Sequence, residues 1–454
     1  MKGHIIFSAA ALILIALYLK FFISGGCSNI SFLYSQHSQQ MRREIMERHK
    51  DLVFFYQTLS GIKENIIVEA SRYKEMDYEV PQILTCKDLT YMTELEFIGS
   101  GFTKVVVKGT LLNGKSIALK SIHGKGNDIK QCLQQYGDYS GCHRLATYKL
   151  QKEIALLQIL HHPGIIQLHG QCYVNSAPSD IRVTAMLELG SPLEMIQLLQ
   201  TPWEERFKIC WELVQLLRYL ANSPMGSIAL LDFQPRQFVL VDGSLKVTDV
   251  DDASTEEPMC NQDADCMLTF PDRTFNVTCS ESGRCMGSNE KRNLYNAYRF
   301  FFTYLLPHAA PPALQPLLAD IMNMTGEVYI GINKTVKAFE EVLNLYKSGM
   351  NHSQAQNLHD YNVLRGFRMN DTDGNFRCWP SYNHKGCLLS VHSAAEAAEF
   401  CNGRPQCRNF VISQQRTWTG RYLTAFTEKP LQLVPDENYN IYMKRSDHSN
   451  MQGG

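Results

Sequence analysis

Leu230-Leu231-Asp232-Phe233-Gln234-Pro235-Arg236-Gln237-Phe238-Val239-Leu240, followed by Lys246-Val247-Thr248-Asp249-Val250-Asp251, is the stretch on which the reading of this chain turns. An apolar strand follows Gln237, Asp242-Gly243 supplies a turn, and a second strand leads to Asp249. A hairpin of that length folds the chain back on itself, so the carboxylates of Asp232 and Asp249 are expected at one mouth. One acid placed to take a proton from a hydroxyl and another placed to hold a divalent cation form the pairing that phosphoryl transfer needs. Singly, Asp232 reads as a turn cap and Asp249 as a strand end. The pair gains its meaning from what precedes it.

Transfer from a polyanion also requires backbone donors over the phosphates and a fixed cation beside them. Both occur upstream, in the order of a protein kinase. From Leu95 the chain runs in short β-branched stretches punctuated by glycine: Glu96-Phe97-Ile98-Gly99, Val105-Val106-Val107 and Ile117-Ala118-Leu119-Lys120, with Asn113-Gly114 as a tight turn. Ile98, Gly99, Ser100, Gly101, Phe102, Thr103, Lys104, Val105 and Val106 are the residues expected to cover a nucleotide, the glycines letting the backbone approach its phosphates. Lys120 is expected to meet the α and β phosphates, and Glu153 to form the ion pair that orients it. Glu153 lies in a stretch, Leu145 to Leu160, whose apolar residues recur at helical spacing until His161-His162-Pro163-Gly164 stops it. Further strands are predicted near Ile165 to Gly170 and Val183 to Leu189, then helices over Leu193 to Leu199, Trp203 to Leu220, Asn293 to Leu306 and Val336 to Tyr346. The fold class is therefore α+β: a bilobal protein-kinase-like fold with an antiparallel sheet plus one helix in the N-lobe, a helical C-lobe, and a disulfide-rich C-terminal module. Its cofactors are ATP and Mg2+ or Mn2+, with Asp232 as base, Asp249 as metal ligand and Gln237 at the position of a second one.

At this point a family likeness becomes visible. Gly99-Ser100-Gly101-Phe102-Thr103-Lys104, the string Leu231 to Gly243, and Asn289-Glu290-Lys291-Arg292-Asn293-Leu294-Tyr295-Asn296-Ala297-Tyr298 resemble the vertebrate lonesome kinase family, with the likeness running from about Ile98 to the C-terminus. The resemblance implies phosphorylation of tyrosine on secreted and Golgi-resident proteins, matrix proteins included, with roles in tissue patterning.

Several positions depart from the general kinase pattern. Leu230-Leu231 stand where His-Arg usually precedes the base, so packing is expected to replace a polar anchor. Gln237 replaces an asparagine and, being one methylene longer, shifts the ligand atom outward. Lys104 takes the place of a third glycine, and Asp249-Val250-Asp251 that of Asp-Phe-Gly. Gln234 removes the lysine that many serine/threonine kinases carry two residues after the base, which turns acceptor choice away from that class. Two other readings stay open: a lumenal pseudokinase acting as a binding or scaffold protein, and a secretory-pathway glycan kinase.

The address is read from the chain's start and its cysteines. Met1-Lys2-Gly3-His4 precedes an apolar run from Ile5 to Leu19, then Lys20 and Phe21-Phe22-Ile23, which is a targeting segment: a cleaved signal or an uncleaved anchor, the latter being the one expected membrane attachment. With 14 cysteines and sequons at Asn29, Asn276, Asn323, Asn333, Asn351 and Asn370, the chain is expected in the Golgi or ER lumen or secreted. A formal net charge of -1 provides no field to hold a nucleic acid. The expected division is 1–25 signal, 26–90 helical stem, 91–350 protein-kinase-like domain and 351–454 cysteine-containing extension. Cys132 and Cys142 can staple the insert between Lys120 and Glu153, and Cys260, Cys266, Cys279 and Cys285 fall where other kinases carry an activation segment. A segment so pinned is expected to be ordered without phosphorylation. Cys378, Cys387, Cys401 and Cys407 define the last module, with an Ala-rich helix from Ala394 to Phe400; its pairing is open, zinc is disfavoured, and it reads equally as a stabilising cap or a docking surface.

Overall fold

A computed structural model of the chain describes residues 37–61, 83–175, 181–349, 358–369, 376–383, 385–428 and 433–445. The expected targeting segment and the sequons at Asn29, Asn351 and Asn370 lie outside them. No helix among the described residues is long and apolar enough to cross a membrane. The chain forms two compact units, the first taking the residues through His161, Ile165–Gly190 and the short return Asp249–Asp252.

In the first unit, helix α1 covers 37–61 and α2 spans Cys86–Thr90. Strands β1 (Thr93–Ser100), β2 (Lys104–Thr110) and β3 (Ser116–Ile122) follow, then α3 (Asn127–Tyr136), α4 (Tyr139–Ile159), β4 (Leu168–Asn175) and β5 (Ile181–Glu188). The strands form an antiparallel sheet in the order β1-β2-β3-β5-β4, with Lys120 opposite Val106 on one side and Ala185 on the other. Gly114, at φ +81°, takes the left-handed conformation that the β2–β3 turn demands of one residue. A disulfide, Cys86–Cys172, ties α2 to β4.

Helix α4 begins at Tyr139, six residues before the apolar periodicity suggests, because its first turns are buried by other elements rather than by its own pattern. Cys142 and Ala146 pack with Ile129 and Tyr136 of α3 and with Met41 of α1, and Cys132–Cys142 staples α3 to α4. Gly141 permits this approach: a Cβ there would lie 2.1 Å from the Met41 sulfur. Met41, Leu52, Phe55 and Leu59 of α1 are all buried, each contributing on the order of 1.5–3 kcal/mol of transfer free energy. Tyr136 donates to Glu44, and the Lys152 ammonium lies over the Phe55 ring at 5.5 Å. Thus α1 is bound along the helix that carries Glu153.

The second unit opens with β6 (Ser191–Pro192), α5 (Met195–Leu199) and α6 (Trp203–Ala221), then β7 (Ala229–Leu230) and the hairpin β8 (Phe238–Val241)–β9 (Ser244–Val247). Short strands β10 (Ala253–Ser254), β11 (Met267–Thr269) and β12 (Thr274–Asn276) lead to α7 (Ser288–Ala297). The predicted helix Asn293 to Leu306 is interrupted by a π-helical turn over Tyr298–Phe302 before α8 (Thr303–Leu305). Helices α9 (Gln315–Gly326) and α10 (Ile332–Ser348) complete the helical part, α9 being absent from the sequence expectation.

The last module contains more strand than its sequence suggests. Among the described residues, β13 (Tyr361–Met369), β14 (Cys387–Val391), β15 (Asn409–Arg416), β16 (Tyr422–Thr427) and β17 (Leu433–Lys444) make one antiparallel sheet, ordered β13-β17-β15-β16-β14. Helix α11 (Ala394–Asn402) buries Ala397, Ala398 and Cys401 against Phe410 and Phe426 of that sheet. Disulfides Cys378–Cys387 and Cys401–Cys407 close it. It is fastened to the helices by a buried carboxylate: Glu204 of α6, 2 % exposed, accepts from Tyr346 at 3.3 Å, Tyr382 at 3.1 Å and Thr419.

Candidate active site

In the first unit, sheet, helix and the returning segment 249–252 bring five charged side chains together. Lys120 of β3 donates to Glu153 of α4 at 2.5 Å and lies 3.8 Å from Asp249. Lys104, the first residue of β2, sits 2.7 Å from Glu153, 2.7 Å from Asp249 and 2.9 Å from Asp251. Glu153 is 0 % exposed and both lysines 5 %. Burial opposes the charge on Lys104, but Glu153, Asp249 and Asp251 more than offset it and hold its pKa well above the ordinary lysine value. Burial opposes charge on Asp249 too, yet Lys120 and Lys104 keep it well below the usual carboxylate range. Asp251 moves the other way: burial raises it, Lys104 lowers it, and the negative charges of Asp249 and Glu153 push it up again, to about 7. Burial is the leading cause, and the presence of three carboxylates about two ammonium groups adds to it.

The loop between β1 and β2 is anchored at its base and open at its tip. His123 N–H donates to Thr103 C=O at 2.8 Å, Asp128 N–H to Phe102 C=O at 3.2 Å, and the Thr103 hydroxyl to Asp128. At the tip, a Cβ built on Gly99 would meet nothing within 4 Å, and one on Gly101 only the Lys104 carbonyl at 3.9 Å. Neither has positive φ, so the fold itself does not require glycine at either position. The room above them suits close approach by a ligand, flanked by the exposed side chains of Ile98 and Phe102. With Asp249 offering hard oxygen atoms and two ammonium groups beside it, these residues fit a nucleotide polyphosphate carrying Mg2+ or Mn2+.

Asp232 and Gln237 belong to the second unit. Asp232 is held by donors from its own loop: Gln234 Nε2 at 2.8 Å, an Arg236 guanidinium nitrogen at 3.3 Å, and Gln237 Nε2. The amide nitrogen of Gln237 is thereby turned to Asp232, which leaves the amide oxygen as its ligand atom. The expectation that packing replaces the polar anchor of this loop holds for Leu230, 4 % exposed, but not for Leu231, 56 % exposed, and the backbone here is clamped by α7. Asn293 accepts from Leu230 N–H at 2.9 Å and donates to Ile228 C=O at 2.7 Å, and Asn289 donates to Ser227 C=O at 2.9 Å. Behind the loop, Phe301 meets Phe233 and Phe238 edge to face, and those two rings are tilted against each other.

The segment after Asp252 is pinned by Cys260–Cys279 and Cys266–Cys285, each closing a sequence separation of 19. The sulfurs of Cys260, Cys266 and Cys279 lie close enough to suggest a metal, but the bridges leave no thiolate for one. Asn276, Asn323 and Asn333 are exposed.

Comparison with known proteins agrees with this geometry. Residues 146–325 match the family model described as the protein-kinase domain of FAM69. A human protein named extracellular tyrosine-protein kinase PKDCC is 50 % identical over 365 residues, which cover 80 % of this chain and 74 % of that relative. The chain belongs to the vertebrate lonesome kinase family. It therefore has the α+β kinase-like fold expected of it.

For a lonesome kinase the placements of Lys120, Glu153 and Asp249 match the sequence order, but Lys104 and Asp251 are the surprise. Sequence reasoning treated both as replaced glycines, and each alone looks like a lapse from pattern. The available signal was that two opposite charges had entered one site together. In the sequence Asn289 and Asn293 carry only family likeness, because nothing local ties α7 to β7.

Two measurements test these assignments. Gly101→Ala should leave the fold as stable as before or up to about 1 kcal/mol more stable in urea denaturation, while raising the KM for ATP severalfold. A clear loss of stability would show that the fold, not a ligand, requires the glycine. Asn293→Ala strands a buried N–H and a buried C=O and should cost about 2 to 4 kcal/mol in the same assay; no measurable loss would mean water replaces the clamp.

Proposed function

We propose that the chain is a secreted or Golgi/ER-lumenal protein tyrosine kinase that moves the γ-phosphoryl group of ATP to extracellular and secretory-pathway proteins, matrix proteins among them. The observation that carries the reading is the buried Lys120–Glu153–Asp249 group, one ammonium oriented by one carboxylate beside a second carboxylate kept ionised. Lys120 neutralises phosphate charge, and Glu153 fixes the direction of its ammonium. Asp249 would hold the ATP-bound metal, which supplies charge neutralisation on the phosphates, and the Gln237 amide oxygen would hold a second ion if one binds. Asp232 takes the proton of the acceptor hydroxyl as its oxygen bonds to phosphorus and the bond to the bridging oxygen breaks, ADP carrying the electron pair away. Gln234, Arg236 and Gln237 keep that carboxylate turned in one direction beforehand.

Acceptor and address are inferred from different sources. Tyrosine follows from the human relative named as a tyrosine kinase and from Gln234 in place of a phosphate-binding lysine. A lumenal or extracellular setting is supported by six disulfides among the described residues, a pattern foreign to reducing compartments.

Incubation of the purified protein with labelled ATP, Mn2+ and a panel of secreted proteins should give phosphotyrosine. Phosphosugar would make it a glycan kinase, and no transfer a pseudokinase. Lys120→Met and Asp232→Ala should each lower kcat/KM by more than about a thousandfold with secretion intact; transfer retained in either variant removes its residue from the mechanism. The pinned segment makes a separate prediction. Opening both bridges with Cys260→Ser and Cys266→Ser removes about 3 kcal/mol of unfolded-state constraint per bridge and should cut activity severalfold in a protein that is still folded. Unchanged kinetics would show that the segment needs no bridges to stay ordered.

A further inference from the structure

Lys104 and Asp251 lie outside the set of groups that the reaction is expected to use, yet the buried Lys104 and the half-buried Asp251 sit in the middle of it. One stands in place of the loop's third glycine and the other in place of the glycine that ends Asp-Phe-Gly. Lys104 without Asp251 would keep Glu153 and Asp249 at 2.7 Å, whereas Asp251 without Lys104 would be a carboxylate short of its ion-pair partner, a situation that costs several kcal/mol. Together they add one ammonium and one carboxylate, 2.9 Å apart, and leave the formal charge of the cluster as it would be with two glycines. Such a matched insertion points to a role for the added cation. The Lys104 ammonium is within 3 Å of carboxylate oxygens from both Asp249 and Asp251, where a cation bridging these acids would sit.

Protein kinases hold two divalent ions about the phosphates, one on the aspartate that opens Asp-Phe-Gly and one also on the catalytic-loop asparagine. In this chain the asparagine is Gln237, and the space beside the metal aspartate already contains an ammonium. We propose that Lys104 replaces the second metal ion, so that the enzyme handles ATP with one divalent cation held by Asp249 and a permanent side-chain cation counter-charged by Asp251. The inference rests on the kinase reading above. A purely structural Lys104, serving only to fasten β2 to α4 through Glu153, would have no bearing on how many metal ions bind.

The test counts ions. The full secreted chain is saturated with the non-hydrolysable analogue AMP-PNP, and bound Mn2+ per chain is read from the electron paramagnetic resonance of the free ion. Wild type should bind one Mn2+ per nucleotide. Lys104→Ala, checked for folding by its thermal melt, should bind two, because Asp249 and Asp251 are freed to share a second ion. Two ions on wild type would overturn the proposal whatever the variants do, and so would one ion on a folded Lys104→Ala protein. A wild-type chain that retains no AMP-PNP would instead refute the kinase reading, and the role of Lys104 with it.

Discussion

A buried charge must be matched at short range or the fold rejects it, and the first unit is organised around that demand. Two lysines and three carboxylates meet in a region where most are less than a tenth exposed. They come from β2, β3, α4 and the stretch after β9, so the cluster can be satisfied only when a sheet, a helix and a segment distant in sequence all arrive in register. Breaking one partner of such a set strands the rest, typically at about 3–5 kcal/mol. The arrangement that would bind a nucleotide is therefore also one that enforces its own assembly. It stays one carboxylate richer than its ammonium groups, and the raised Asp251 shows where the excess is felt.

The surroundings hold the cluster by apolar and covalent means rather than by more charge. Glu153 is carried on α4, and α4 is fixed along its length by α1, whose Met41 fits over Gly141, and by the Cys132–Cys142 bridge to α3. In kinases the position of this helix decides whether the lysine–glutamate pair exists. Here a segment of the same chain covers it. The same economy recurs in the second unit. Asparagines of α7 hold the backbone ahead of Asp232, an aromatic trio backs it, and two disulfides pin the segment after Asp252.

The C-terminal sheet belongs to this scheme as well. Glu204 is nearly inaccessible and has three hydroxyl donors, two of them from residues of the last module and one from α10. A buried carboxylate with that many donors is costly to leave uncovered. The module is thus a fastened part of the helical unit, and a role in docking partners would be exercised from that fixed position.

Local pattern alone determined the kinase-like order of strands and helices and the glycine loop, and singled out Lys120, Glu153, Asp232 and Asp249 as candidates, because each rests on short-range periodicity or on a fixed spacing between a turn and a charged residue. The expected compartment was read from the N-terminal apolar run, the cysteines and the sequons, and the expected acceptor from family likeness together with Gln234. Tertiary structure decided what depends on partners far along the chain: that Lys104 pairs with residues 49, 145 and 147 positions away, that Asn293 anchors a strand 63 positions before it, that α4 starts six residues early, and that the final module is a sheet. The physical reason is the same in each case. A glycine replaced by lysine looks like a loss when read along the chain, and becomes an ion pair only when folding brings its carboxylates within 3 Å.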